Sequence, residues 1–139
     1  MTAEQVRNAL IAFIDAMPIE SQGRNDRLRH VENRGRDIIA TGTRWYTVEL
    51  SAIVVLAYSC IVNQIEAVVT IHYASSDDLE KRIAADGTLL MNRAPKLHLE
   101  NAGIWNATPT ILGVTETDGD IALVISVVIQ YAGDNALIA

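Results

Sequence analysis

The chain has 139 residues, half of them apolar, and a formal net charge of −6. This length predicts a single domain over 1–139 with a buried core, and the acidic balance argues against a basic nucleic-acid-binding surface. Cys60 is the only cysteine, so no intrachain disulfide can form. The N-terminal sequence lacks a signal-peptide pattern and no apolar run is long enough to cross a membrane, so we expect synthesis in the cytoplasm and no membrane contact.

The first predicted element is a helix that begins after Thr2, which forms a capping-box pattern with Gln5. Apolar residues then recur at helical spacing on one face, at Val6, Leu10, Phe13, Ile14 and Met17. Pro18 ends this helix because proline cannot continue it.

Residues 19–42 are polar and predict a long loop, with a short strand near 28–31 or 37–40. The only dense group of basic residues lies here and consists of Arg24, Arg27, Arg29, Arg34 and Arg36. Acidic residues interrupt this group, which favours a solvated loop over a phosphate site. A long loop inside a compact domain is usually functional, so we expect a docking or ring-contact element that uses these arginines.

From residue 43 the apolar period changes to two, which predicts a long hairpin with strands over 43–58 and 65–73. One face of the first strand carries Tyr46, Val48, Leu50, Ala52, Val54, Leu56 and Tyr58. The other face begins polar and becomes apolar at Ile53 and Val55, which predicts a strand that ends buried on both faces. Residues 59–64 are expected to form the turn. The returning strand is expected to bury Ile65, Ala67, Val69, Ile71 and Tyr73.

A second helix is predicted over about 77–93, with Ser75 and Asp78 as its capping box and Pro95 as its end. Gly87 lies inside this helix and weakens it locally. Leu79, Ile83 and Leu90 mark its buried side. Residues 96–103 are expected to form an irregular connection.

A second hairpin follows, with a strand over 104–116 that Pro109 and Gly113 are expected to break. Asp118 and Gly119 predict a tight turn. The last strand, from Ile121 to Tyr131, has the most regular alternation in the chain. Hairpins on both sides of a helix predict an α+β domain, in which two helices cover a mostly antiparallel sheet with a long hairpin.

No catalytic or metal-binding motif stands out. His30, His72 and His98 fall in three different elements, and Cys60 has no CxxC partner. His72 shares a strand face with polar residues and is expected to face solvent. The two pairs of closely spaced aspartates fall at a helix start and in a turn, where their charge has a structural explanation. We therefore expect no metal, no cofactor and no enzymatic activity.

Trp45 and Trp105 have polar neighbours, which suits rings buried against a partner, although packing on their own core remains an equal alternative. The first hairpin is longer than a small domain needs, and its apolar tip over 59–62 would be a liability in water. A homo-oligomer accounts for both features.

The segments VVTIHYASSDDLEKRIAADGTLLMNR and GIWNATPTILGVTETDGDIALVISVVIQY resemble the phage tail terminator and minor tail protein family. In that family an aliphatic strand leads directly into a helix, as at 68–73 and 77–93 here, and an aliphatic closing strand ends in an aromatic residue, as at 120–131. The resemblance implies a structural virion protein in the tail or neck. Its subunits would form a ring, a hexamer by this resemblance, that caps the tail tube.

The same resemblance implies three partners: other copies of the chain, the tail tube protein and the head–tail connector protein. DNA would pass through the ring without being bound specifically. A negative lumen would repel the phosphates, and the candidates for lumen-facing acids, as polar members of strands, are Glu49, Glu66 and Asp120.

Two alternatives stay open at this point. One is a small-ligand-binding or enzymatic α+β domain, with a pocket near Tyr46, Tyr58 and Tyr73. The other is a different ring- or tube-forming neck or tail subunit, which would polymerise into open tubes where a terminator stops at closed rings.

Overall fold

The computed structural model describes residues 1–17, 28–32, 44–57, 62–73, 79–117 and 120–133. The helices are α1 (Ala3–Asp15), α2 (Leu79–Arg93) and a 3₁₀ helix (Ala94–Leu99). The strands are β1 (Arg29–His30), β2 (Trp45–Leu50), β3 (Val54–Ala57), β4 (Val62–Tyr73), β5 (Ile104–Thr117) and β6 (Asp120–Ala132). No helix in these ranges is long and apolar enough to cross a membrane.

The strands form one sheet in the order β1-β2-β4-β6-β5, and β3 extends the line of β2 along β4. Every pairing is antiparallel except the two-residue contact of β1 with β2. Both helices lie on one face, since Tyr46 bonds to α1, Tyr73 bonds to α2, and Gly87 of α2 faces Leu123. The predicted α+β class is confirmed.

Helix α1 begins as its sequence predicts. The Thr2 hydroxyl accepts a hydrogen bond from the Gln5 amide, and the Gln5 side chain accepts one from the Thr2 amide, so two free amides at the helix start are satisfied. The predicted stripe is buried against the sheet: Val6, Leu10, Phe13, Ile14 and Met17. Pro18 lies outside the described residues.

The centre of the core is formed by the two central strands. On the helix-covered face, β4 and β6 contribute side chains that are at most 4 % exposed, at Ile65, Ala67, Val69, Ile71, Tyr73, Leu123, Ile125, Val127, Ile129 and Tyr131. Cross-strand register sets most of these residues in direct pairs, such as Ile71 with Leu123 and Ile65 with Ile129. The alternation predicted for both strands is confirmed.

The first hairpin differs from its prediction in the strand before the tip. Residues 51–53 interrupt it, and one extra residue there shifts the register, so that Val54 pairs with Gln64 on the face opposite Tyr46. The expected continuous face from Tyr46 to Leu56 is therefore wrong. Burial on both faces is also wrong, because all four residues from Ile53 to Leu56 are 40–51 % exposed.

Strand β4 begins at Val62, so residues 62–64, which were expected in the turn, belong to the strand. Tyr58 and Cys60 lie outside the described residues. In the loop over 19–42, the structure describes 28–32, where β1 confirms the expected short strand near 28–31. The alternative strand near 37–40 lies outside the described residues.

Helix α2 ends at Arg93 as predicted, while the capping box of Ser75 and Asp78 lies outside the described residues. Where an irregular connection was expected, a 3₁₀ helix follows directly, with Pro95 in its first turn. Proline is tolerated there because the first amides of a helix have no partner within it.

Strand β5 is continuous through Pro109, so the predicted break is wrong. As an edge strand, β5 tolerates a residue without an N–H on its outer side. Gly113 has a φ of 144° and lies at a register shift, so it forms a bulge and leaves the strand unbroken. Thr117 pairs with Asp120, so β5 and β6 form a hairpin, while the predicted turn residues Asp118 and Gly119 lie outside the described residues.

Replacing Gly87 by alanine is expected to raise the free energy of unfolding by about 0.5–1 kcal/mol, because glycine is a poor residue inside a helix. A Cβ there would lie 3.4 Å from Ile111 and 3.6 Å from Leu123, which is ordinary contact. Urea unfolding measures the change.

Gly113→Ala is the matched control for this substitution. Its Cβ would meet no atom within 4 Å, yet the positive φ is unfavourable for alanine, so the protein should lose stability. Destabilisation by Gly87→Ala would show that α2 packs against Ile111 and Leu123 more closely than these distances indicate.

Candidate assembly surfaces

The sheet has one face that none of the described helices covers, here called the uncovered face. Register places alternate residues of three neighbouring strands on it: Trp45, Thr47 and Glu49; Gln64, Glu66, Val68, Thr70 and His72; Ala122, Val124, Ser126, Val128 and Gln130. Polar side chains link the strands, since Gln130 bonds to Gln64 at 3.3 Å and to Asn106 of β5 at 2.9 Å. The face is therefore ordered and largely polar.

The two tryptophans lie in different settings. Trp45 stacks on His72, with ring centroids 3.8 Å apart and planes 7° from parallel, so much of its surface is used within its own chain. His72 lies on the uncovered face, as expected, but its side chain is only 16 % exposed beside the Trp45 ring. Its Nδ1 lies 2.9 Å from a carboxylate oxygen of Asp120. Trp105 is 47 % exposed. Of the two rings, Trp105 is the better placed for a partner.

The three acidic residues predicted to face a lumen all lie on the uncovered face. Glu49 is exposed on β2, and Glu66 on β4 accepts a 2.6 Å hydrogen bond from the Ser126 hydroxyl. Asp120 begins β6 beside His72. The structure brings them to one surface, and their position in a lumen stays a prediction.

Four of the five arginines in the predicted cluster lie outside the described residues: Arg24, Arg27, Arg34 and Arg36. Arg29 is in β1, at the edge of the sheet beside Trp45. The docking role of this loop stays a prediction.

One edge of the sheet is closed over part of its length. β1 lies beside Trp45 and Tyr46, and the Val31 amide donates a 2.9 Å hydrogen bond to the Tyr46 carbonyl. Arg7 of α1 donates to the Val48 carbonyl at 3.2 Å. Beyond Val48, the outer side of β2 and β3 has no strand partner among the described residues.

Ionic contacts hold this closed part together. Arg7 also pairs with Glu32 at 2.9 Å, and that hydrogen bond lowers the pKa of the Glu32 carboxyl. His30 lies against the Tyr46 ring, with centroids 5.3 Å apart, and burial is the main cause of its lowered pKa. A neutral histidine therefore packs at the point where β1 meets the sheet.

The opposite edge is formed by β5, which pairs only with β6 within the described ranges. Ile111, Leu112 and Val114 on this strand are 45–59 % exposed. The sequence pattern does not predict this patch, because a glycine such as Gly113 inside a strand is typical of a break. The sequence feature that could have predicted the patch is a group of three aliphatic residues around a glycine within a strand.

The hydroxyls of Tyr46 and Tyr73, two of the three tyrosines in the ligand-pocket alternative, are bonded within the protein. The Tyr46 hydroxyl donates to Asp15 and the Tyr73 hydroxyl to Asp86, each at 2.7 Å. Burial raises the pKa of both hydroxyls far above its ordinary value. Each hydroxyl thus already has a structural partner. In the part of the chain that the structure describes, no three His, Cys, Asp or Glu residues form a group that could hold a metal ion.

No protein-family model matches the sequence, and no curated protein matches it. The exposed edges and the uncovered face are therefore the features from which a function can be inferred.

Proposed function

We propose that this chain is a structural subunit that assembles with copies of itself into a closed ring, and that the ring terminates a phage tail tube and joins it to the head-side connector. One observation carries the self-assembly: four consecutive aliphatic residues, Ile53 to Leu56, are 40–51 % exposed at the sheet edge, where Ile53 directly precedes β3. The phage tail role comes from the sequence resemblance.

An exposed aliphatic edge strand favours a partner for two physical reasons. Burying apolar surface contributes about 25 cal/mol per Å², and the free backbone groups of an edge can pair with another strand. Natural monomers protect such edges with charges or prolines, and 53–57 contains neither. A second copy of the chain would satisfy both the side chains and the backbone.

The uncovered face supports the passage of DNA in this proposal. Its three acidic residues share one surface, and negative charge along a channel repels phosphates. Their side chains offer DNA no basic contact, so a ring that turns this face inward would let DNA slide. The proposal assigns the chain no catalytic step.

Negative-stain electron microscopy of the purified protein tests the proposal. Closed rings of one diameter are expected. Open tubes would favour the alternative of another tail or neck subunit, which the same exposed edges also support. Particles of single-chain size at every concentration would contradict self-assembly and favour the small-ligand-binding alternative.

A further inference from the structure

We propose that the ring forms by head-to-tail pairing of the two open sheet edges, in which β5 of one copy pairs with β3 and the end of β2 of the next copy at a fixed stagger of six residues. This inference rests on the proposed self-assembly and adds the surfaces and the register by which copies meet.

The two edges have compatible strand directions. β3 runs antiparallel to β4, while β5 runs parallel to it because β6 lies between them and opposes both. Two copies side by side therefore bring β5 against β3 in opposite directions. Antiparallel pairing is the more stable arrangement of two strands.

The stagger follows from where the two apolar patches lie along the sheet. Val55 pairs with Asn63 of β4. Ile111 pairs with Ile125 of β6, which in turn pairs with Val69 of β4, so Ile111 lies level with Val69 along the sheet. Val69 is six residues further along β4 than Asn63. Placing Val55 opposite Ile111 therefore displaces neighbouring copies by six residues. Because this number is even, both side chains stay on the helix-covered face.

At this stagger two exposed aliphatic residues of each edge lie opposite one another. Val54 falls beside Leu112, and both are more than half exposed in the single chain. Over 49–55 and 111–117 each edge carries one register irregularity, at 51–53 and at 111–113, so the stagger stays constant along this stretch. A further shift, between Val55 and Ala57, lies beyond it. Pairing would bury both patches together.

The pairing also fits the space that is free on the receiving edge. Six residues after Ile111 is Thr117, where β5 ends, and six residues before Val55 is Glu49. The incoming strand thus stops just before the Val48 carbonyl, which Arg7 already occupies, and before β1. Pro109, whose nitrogen cannot donate, falls opposite Ala57 at the end of β3, outside the stretch from Glu49 to Val55.

The resulting geometry is that of a barrel wall. Six residues at about 3.3 Å per residue displace one copy along the strands by roughly 20 Å. Each copy contributes four strands side by side, namely β3, β4, β6 and β5, and at about 4.8 Å per strand these give a sheet roughly 19 Å wide. The strands would then tilt by roughly 45° to the ring axis, close to the range of about 35–45° seen in closed barrels. A staggered contact of this kind is compatible with closure.

Charged residues at either edge provide the first test, with Val54→Lys blocking the β3 edge and Leu112→Lys blocking the β5 edge. Because the contact joins two different edges, each variant alone should remain a monomer in light scattering. An equimolar mixture should form one-to-one dimers and nothing larger. Asn8→Lys, at an exposed position of α1, is the control and should assemble like the wild type.

A disulfide trap tests the register and does not depend on the strength of a single contact. In a Cys60→Ser background, a chain carrying Val55→Cys and Ile111→Cys should give a ladder of cross-linked oligomers on a non-reducing gel. Chains with one of these cysteines should give no cross-link.

The possible failures are distinguishable. Wild-type protein that never assembles would overturn the proposed function together with this inference. Two outcomes would overturn the edge pairing alone, given that the wild type forms rings. In one, both lysine variants also form rings; in the other, the double-cysteine chain gives no ladder. Dimers from a single-cysteine chain would show that each edge meets itself, which also overturns it.

Discussion

Replacing Asp86 by alanine is expected to lower the free energy of unfolding by about 3–5 kcal/mol, the usual cost of removing one partner of a buried ion pair. The Arg44 and Asp86 side chains are 5 % and 6 % exposed, and the Asp86 carboxylate accepts hydrogen bonds from both the Arg44 guanidinium and the Tyr73 hydroxyl. Alanine would remove the counter-charge from a buried guanidinium and an acceptor from a buried hydroxyl. Urea unfolding followed by circular dichroism measures the loss.

Two further variants make this expectation specific. Asp86→Asn keeps an oxygen for the Tyr73 hydroxyl but removes the charge, so its cost should be smaller than that of alanine. Glu80→Ala changes an exposed acid on the same helix and should alter the stability by no more than about 0.5 kcal/mol. Equal effects of Asp86→Ala and Glu80→Ala would contradict a buried ion pair.

Replacing Glu49, Glu66 and Asp120 together by lysine is expected to produce binding to duplex DNA, which the proposed function expects to be absent in the wild type. Each substitution changes the charge by two units, so the three cancel the formal net charge of −6 and place three ammonium groups on the uncovered face. Phosphate contacts are strongly salt-dependent, so the gained binding should fall steeply as salt rises. Fluorescence polarisation with a labelled duplex measures it.

The control for this experiment removes the negative charge without adding a positive one. Glu49→Gln, Glu66→Gln and Asp120→Asn in one chain should leave duplex binding near that of the wild type. Assembly and DNA passage that are unchanged in the triple-lysine variant would refute the acidic lumen. Circular dichroism would detect a loss of folding in the triple-lysine variant. In that case the double variant Glu49→Lys with Asp120→Lys, which changes two exposed positions, is tested for DNA binding in its place.

Local patterns predicted those elements whose surroundings repeat along the chain. Helix α1 was predictable because its cap and its apolar stripe are both written in neighbouring residues. Strands β4 and β6 were predictable because one covered face imposes a strict period of two. The same parity explains why Glu49 and Glu66, separate in sequence, fall on one face of the sheet.

The features that were missed depend on position in the sheet. The apolar alternation continues through Ala52, Val54 and Leu56, so an extra residue over 51–53 leaves no mark on the pattern, yet it shifts every later side chain. Pro109 is compatible with β5 only because that strand is an edge, which local sequence does not reveal. The role of Asp86 depends on Arg44 and Tyr73, which come from two different strand ends.

Size-exclusion chromatography with light scattering, run on the wild-type protein at several concentrations, tests self-assembly most directly. The account predicts a discrete species whose mass is a fixed multiple of the 15.2 kDa chain, about six-fold if the family resemblance holds. A mass of 15.2 kDa at every concentration, also after tail tube protein is added, would contradict it.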